Sequence, residues 1–264
     1  MNPKSQSPDV SIVIPCWNEA KNLEHGVLDE VYHYLARQTY AWRVIIVDDG
    51  STDDSRRLVE RFIQDKPRFR LLPIPHGGKP AAVWAGIQDA RGDIVLFTDM
   101  DQSTPISELS RLLPWYERGY DVVIGSRGVA REGTSPLRKI GSWVFLNARR
   151  LLLLRDIVDT QCGFKSCRRE VALAVFPRLQ YFSRQEKPTG WRVSAYDVEL
   201  LYLMARAGYT IKEVLVQWHN RDQSETKQHK GALGQYIDES IEMGKEILRV
   251  KRNQWKGLYD EERT

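Results

Sequence analysis

The chain has 264 residues, 42% hydrophobic and 28% charged, a balance that supports a buried core and excludes a disordered or fibrous chain. A formal net charge of +4 is too small to imply nucleic-acid binding without a clustered basic face. Cys16, Cys162 and Cys167 are odd in number and lack paired spacing, so neither a disulfide framework nor a zinc site is favoured, and a reducing cytosol fits.

In chain order, "MNPKSQSPD" lacks the apolar core of a secretion signal. No later stretch reaches the roughly 18 apolar residues of a membrane span, so the chain is expected to be neither secreted nor membrane-spanning. Runs rich in Val and Ile at 10–16, 42–49, 68–74, 93–99 and 121–126 read as strands. The segments 19–37, 53–65 and 79–90 between them carry apolar residues at helical spacing. That alternation predicts an α/β fold with a mainly parallel sheet flanked by helices. The second half is less regular. A basic, apolar segment (136–156) precedes "DTQCGFKSCRRE". A polar loop (183–194), a helix around "AYDVELLYLMARAGY", a last strand (210–218) and a last helix in "GALGQYIDESIEMGKEILRV" follow. No repeat and no dividing linker is visible, which implies one domain.

Open sheets of this kind bind ligands at the carboxyl ends of their strands, where helix N-termini also point. The first strand leads into "PCWNEA", the second closes with Asp48-Asp49-Gly50-Ser51, and the fourth closes with Asp99 and Asp101. Residues i and i+2 of an extended segment share a face, so these last two carboxylates can converge. Two anions that close repel unless a cation lies between them, and hard oxygen ligands suit Mg²⁺ or Mn²⁺. The alternatives are that Asp99 and Asp101 are strand-end turn residues and that Asp48 and Asp49 are caps.

"SIVIPCWNEAKNL", "VIIVDDGSTDDS", "GKPAAVWAGIQDARGDIVLFTDMDQSTP", "DVVIGSR" and "DTQCGFKS" with "YDVELL" together resemble the family 2 glycosyltransferases of GT-A fold, over about residues 10–225. The last two motifs are narrow and lean toward the branch that glucosylates dolichyl phosphate, with the mannose synthases acting on the same lipid as near cousins. The resemblance implies a nucleotide-sugar-binding half (10–126), an acceptor-binding half (127–230) and a C-terminal helix (231–264). It implies that Pro15, Trp17, Glu19, Asp48, Asp49, Lys79, Asp99 and Met100 line the nucleotide-sugar pocket. Asp99, Asp101 and Gln102 would hold Mg²⁺ or Mn²⁺ on the diphosphate. One departure is Gly78-Lys79-Pro80, where the family commonly has Gly-Lys-Gly; proline is tolerated in a first helical turn, so Lys79 can still reach a phosphate.

A lipid-phosphate acceptor needs cations and an apolar route. Arg127 follows the fifth strand, and Arg138 and Ser142 stand four apart on one helical face. In the mannose synthases an Arg after "GS" and an Arg-x-x-x-Ser helix start hold the lipid phosphate, and Arg127, Arg138 and Ser142 match that pattern; ordinary surface salt bridges are the alternative. Trp143 to Leu146 and Leu151 to Leu154, broken by Arg149 and Arg150, read as an interfacial helix, giving peripheral membrane contact through 136–155, or as a core-facing helix with a basic side.

An alcohol acceptor requires a carboxylate base, whereas a phosphate monoester, with a second pKa of about 6, is already largely dianionic. The spare carboxylates are Asp159, a catalytic candidate on the acceptor or metal side, Asp197 as an orienter, and Glu199, for which a helix-surface role is the alternative. Gln161 belongs to the same motif as Asp159. His76 and His219 are phosphate contacts or structural histidines. Arg221, Ser224 and Lys227 lie in a polar loop that closes over the donor in relatives. The expected reaction is inverting, metal-dependent hexose transfer, from UDP-glucose first and GDP-mannose second, to a polyprenyl or dolichyl phosphate at the cytoplasmic face of a membrane. Transfer to a soluble hydroxyl, nucleotidyl transfer and a non-catalytic binding module are the rivals.

Overall fold

The protein is described by a computed structural model over residues 9–128, 154, 157–183, 196–223, 244–245 and 247–260. Its first half delivers the expected alternation: β1 (Val10–Cys16), α1 (Ala20–Glu24), α2 (Val27–Leu35), β2 (Trp42–Asp48), α3 (Ser55–Ile63), β3 (Phe69–Pro73), α4 (Lys79–Asp89) and β4 (Ile94–Phe97). The helical pattern over 19–37 resolves into two helices because Gly26, at φ 76°, takes a left-handed conformation between them. Short helices α5 (Leu109–Leu112) and α6 (Pro114–Glu117) lead to β5 (Val122–Ser126). Then come β6 (Lys165–Arg168), α7 (Arg169–Val175), α8 (Gln180–Ser183), α9 (Tyr196–Arg206) and β7 (Ile211–Leu215).

One seven-stranded sheet runs through both halves in the order β3-β2-β1-β4-β6-β5-β7. All pairings are parallel except those of β6, which lies antiparallel between β4 and β5. This strand is missing from the sequence reading: "KSCR" is four residues long with a lysine and a serine turned inward, which defeats both the apolar-run and the alternation signals.

The alternation of side chains along each strand divides the core into two layers. Val13, Ile45, Val47, Val95 and Phe97 pack with Ala82, Val83 and Ile87 of α4, Val171 and Val175 of α7, and Leu200 and Leu203 of α9. Ile12, Ile14, Val44, Ile46 and Leu96 pack with Val27, Leu28, Val31 and Leu35 of α2 and with Leu109 and Leu112 of α5. Cys16 lies in the second layer and Cys167, on β6, in the first. All three thiols are free and buried. Burial pushes the Cys167 thiol up to about 12.

Residues 247–255 are helical, and Val250 and Tyr259 join the first layer. Of the basic segment at 136–156, Leu154 alone is described, and it is buried in that layer, which fits the core-facing reading at that residue. Arg138, Ser142, Trp143, Ser224 and Lys227 lie outside the described residues. Among the described residues no helix is long and apolar enough to cross a membrane.

Candidate functional site

Three parallel strands, β2, β1 and β4, end side by side, and the loops after them knit together. The loop after β1 turns at Asn18, whose φ of 55° is left-handed; its amide donates to Ser51 Oγ at 3.1 Å and its carbonyl Oδ1 accepts from the Thr52 amide at 2.8 Å. The Glu19 amide donates to Ser55 Oγ at 2.7 Å. Pro15 lies inside β1, paired with Val47, so it shapes the exit of the strand.

Asp48 and Asp49 are both fully buried, with different duties. Asp48 accepts from the Ser51 amide at 3.0 Å and from Arg56 Nε at 2.7 Å. Asp49 accepts from the Gly77 and Gly78 amides at 2.7 and 2.8 Å, fixing the turn that launches α4. Burial raises the Asp49 carboxyl above its ordinary value, against the pull of those amides and His76. His76 stacks on Trp17 with ring centroids 4.9 Å apart, so Trp17 and this turn form one wall. Gly78, at φ 85°, precedes α4, and Lys79 and Pro80 form its first turn as the fixed proline φ allows. From there Lys79 Nζ pairs with Asp99 Oδ1. Burial opposes the Lys79 charge, but Asp99 and then Asp197 raise its pKa overall.

Asp99, Met100, Asp101 and Gln102 form the turn after β4, with Gln102 left-handed at φ 50°. Met100 is buried in the second core layer, which anchors the turn between its two carboxylates. Asp101 accepts from the Ser103 amide at 2.8 Å. Its carboxyl is raised first by burial and then by the Asp99 charge. Gln102 donates through Nε2 to the Asp99 carbonyl at 2.8 Å, while its Oε1 is buried without a hydrogen-bond partner. Two mutually repelling carboxylates and an orphaned amide oxygen on one turn are a donor set that suits a hard divalent cation. Among the described residues no three His, Cys, Asp or Glu side chains cluster as a self-sufficient metal cage.

The narrow motif from the second half closes on this turn. A Cβ placed on Gly163 would lie 1.9 Å from Asp99 Oδ2; glycine is required here because the carboxylate fills the space a side chain would take. Asp159 accepts from Arg127 Nε at 2.7 Å, Nη2 at 2.9 Å and the backbone amide at 3.0 Å. Burial opposes its charge, but the guanidinium wins and holds the carboxyl below the ordinary range. Asp159 also accepts from the Gln161 amide at 3.0 Å, so Gln161 helps close this turn. Glu213 on β7 accepts from the Val158 and Asp159 amides at 2.7 and 2.6 Å.

Asp197, at the start of α9, is 2.8 Å from Lys165 Nζ. The sequence reading passed over Lys165, although a lysine directly after the apolar Phe164 and before Ser166 and Cys167 was the available signal. It also passed over Tyr196, whose buried hydroxyl has no hydrogen-bond partner and lies within electrostatic range of Asp197 and Asp99.

One expectation needs correction. Glu199 is neither on a helix surface nor at the site: it is 1% exposed and accepts from Tyr259 Oη at 2.7 Å and Arg249 Nη2 at 2.9 Å. It therefore ties the C-terminal segment to α9. Arg221 is bound through both Nη atoms to Glu30 at 2.7 and 2.6 Å, which pins the loop after β7 onto α2. That loop is also fixed by His219 and Arg221 amides donating to Ser103 O and Oγ at 2.8 and 3.2 Å. The Gln223 amide donates to Asn22 Oδ1 at 3.1 Å. Asp222, between these anchors, is close enough to raise both Asp101 and Glu19. Glu19 is pushed up to about 8, chiefly by burial, against the hydrogen bond from Asn22.

A mainly parallel sheet with an antiparallel insert, and a carboxylate turn at its centre braced by a lysine from a helix N-terminus, make up the GT-A architecture. Solved structures agree on the fold. Glucosyl-3-phosphoglycerate synthase from Mycobacterium tuberculosis superposes with a TM-score of 0.62 at 21% identity, covering 92% of this chain and 80% of that one. Its complex with Mn²⁺, UDP and glucosyl-3-phosphoglycerate gives 0.58 at 22% identity, covering 91% and 80%. The sequence profile "Glycosyl transferase family 2" matches residues 11–176, and the chain belongs to that family. It is 33% identical to dolichyl-phosphate beta-glucosyltransferase ALG5C of Trichomonas vaginalis over 82% of this chain and 66% of that one. It is 32% identical to the dolichyl-phosphate beta-glucosyltransferase of Dictyostelium discoideum over 95% and 76%.

Proposed function

We propose that this glycosyltransferase moves glucose from UDP-glucose to the phosphate of a dolichyl or polyprenyl lipid, with inversion and with a divalent cation, at the cytoplasmic surface of a membrane. The observation that carries this reading is the 32% identity to a dolichyl-phosphate beta-glucosyltransferase over 95% of the chain, which takes in both the donor-side motifs and the narrow second-half motifs.

On the donor side, Trp17 with its stacked His76 lines the nucleotide wall, and Glu19, Asp48 and Asp49 shape its floor. Asp99, Asp101 and Gln102 would hold Mg²⁺ or Mn²⁺, which neutralises the leaving diphosphate when bound. A structural neighbour of the same fold in complex with Mn²⁺ and UDP supports a divalent cation in such enzymes. Lys79 supplies a fixed positive charge beside the same carboxylates.

On the acceptor side the ion pairs favour a phosphate over an alcohol. Asp159 is saturated by Arg127 and is a weak base, and Asp197 is paired with Lys165. An acceptor that arrives as a dianion needs neither to take a proton. Arg127 stays positioned by Asp159 to meet that dianion, together with Arg138 and Ser142 from the helix start read in the sequence. Peripheral contact through 136–155 would bring the lipid to them.

The test is nucleoside diphosphate release from UDP-glucose, UDP-galactose and GDP-mannose, with and without polyprenyl phosphate and with Mg²⁺, Mn²⁺ or EDTA. The expected outcome is UDP release that requires UDP-glucose, polyprenyl phosphate and metal together. Preference for GDP-mannose would reassign the sugar, and turnover with soluble alcohols alone would overturn the acceptor.

A further inference from the structure

The C-terminal helical segment has two apolar faces. One is spent inside the protein: Ile247, Val250 and Asn253 are buried, and Arg249 and Tyr259 bind Glu199 of α9. The other faces outward. Leu248 is 65% exposed and Trp255 78% exposed; seven residues apart, they stand one above the other on a helix. Leu258, 58% exposed, follows in the turn. Single exposed apolar residues are ordinary, but three large ones on one short segment form a patch that calls for an occupant.

Charge identifies that occupant. Arg252 and Lys256 are exposed and project on one flank of the Leu248–Trp255 line, and Lys251 lies on the other, with Nζ 5.9 Å from the Trp255 ring centre. From Ile247 to Tyr259 the sequence contains no carboxylate. A tryptophan and two leucines edged by cations suit the boundary between acyl chains and anionic headgroups, where apolar groups sink and long basic side chains reach up to phosphate.

We propose that residues 247–258 dock on an anionic membrane surface, with Leu248, Trp255 and Leu258 entering the lipid and Lys251, Arg252 and Lys256 meeting the headgroups. The choice of lipid over a protein partner rests on the proposed function, in which the acceptor is a membrane lipid. The contact is distinct from the one read at 136–155. Through Arg249 and Tyr259 on Glu199, the docked segment is tied to α9, whose Asp197 lies beside the site.

The experiment is co-sedimentation of the full chain with phosphatidylcholine vesicles, pure or mixed with phosphatidylserine, beside transfer assays to a short, water-soluble prenyl phosphate. Wild type should bind mixed vesicles and bind pure phosphatidylcholine far less. Leu248→Ser with Trp255→Ser and Leu258→Ser should weaken partition roughly tenfold or more. Arg252→Glu with Lys256→Glu should do the same and abolish the preference for phosphatidylserine. Both variants should keep wild-type thermal unfolding and transfer to the soluble acceptor. Unchanged vesicle binding in both variants would overturn the proposal. So would a wild-type dimer that becomes monomeric in the apolar variant without losing vesicle binding, since the patch would then bind a second copy. If prenyl phosphate is never a substrate but the vesicle results hold, the docking stands and the proposed acceptor falls.

Discussion

Asp49 and Asp101 of the first half are held by backbone amides, and the carboxylates of the second half by cations. Asp49 is gripped by the Gly77 and Gly78 amides and Asp101 by the Ser103 amide. Asp159, Asp197 and Glu199 are gripped by Arg127, Lys165 and Arg249. Under the proposed function, the difference follows from what each half would bind. A site meant to receive a cation leaves most of its carboxylates unneutralised, with Lys79 on Asp99 and Arg56 on Asp48 as the exceptions, and orders Asp49 and Asp101 with neutral dipoles. A site meant to receive an anion needs arginine and lysine nearby, and orders those with carboxylates of its own.

The largest expected effect tests the second half as a set of structural ion pairs. Lys165→Met should cost about 3–5 kcal/mol of stability, because it leaves Asp197 buried without its cation. Chemical denaturation should show Lys165→Met with Asp197→Leu to be less damaging than Lys165→Met alone. Equal losses would mean that the pair is not the source of the cost.

The first half should respond in the opposite way. Asp101→Asn should lower kcat by roughly 10²–10³-fold, the scale of losing one preorganised electrostatic partner. Its unfolding midpoint should stay at or above the wild-type value, since the replacement removes a repulsion with Asp99. Intact turnover in Asp101→Asn would break the contrast.

The smallest effect lies in pH dependence and carries opposite signs in the two halves. Glu19 has a folded pKa raised from 4.5 to about 8, so its contribution is fully present below pH 4.5 and is lost as pH rises toward 8. Asp159 has a lowered folded pKa, so its contribution is present above the unfolded carboxylate range and is lost as pH falls through the folded value. In EDTA, Glu19→Gln should therefore gain melting temperature relative to wild type between pH 5 and 8. Asp159→Asn should lose least, relative to wild type, at the acid end. Parallel pH profiles for the two variants and wild type would remove the distinction.

The same contrast explains what could be read without coordinates. Strand-end acids such as Asp48, Asp99 and Asp101 announce themselves because position in a strand and side-chain chemistry are local properties, and the parallel sheet follows from the periodicity of 10–126. The partners of the second half sit 32 residues apart for Arg127–Asp159 and 50 apart for Glu199–Arg249, and no local pattern links them. Strand β6 fails for the same reason: its lysine is tolerable inside a sheet because Asp197, on a helix beginning some thirty residues later, receives it together with the Cys162 carbonyl. Arg221 was legible as a charged loop residue, but its partner Glu30, on α2, was not.

The buried thiols give the two core layers separate clocks. Cys16 belongs to the layer under α2 and Cys167 to the layer under α4, α7 and α9, and a thiol reacts only when its surroundings open and it can ionise. In single-thiol variants, the rate of modification of Cys16 would time the breathing of one layer, and that of Cys167 the other. Nucleotide should slow the first clock more than the second, because the loop after β1 continues directly from Cys16 into Trp17 and Glu19.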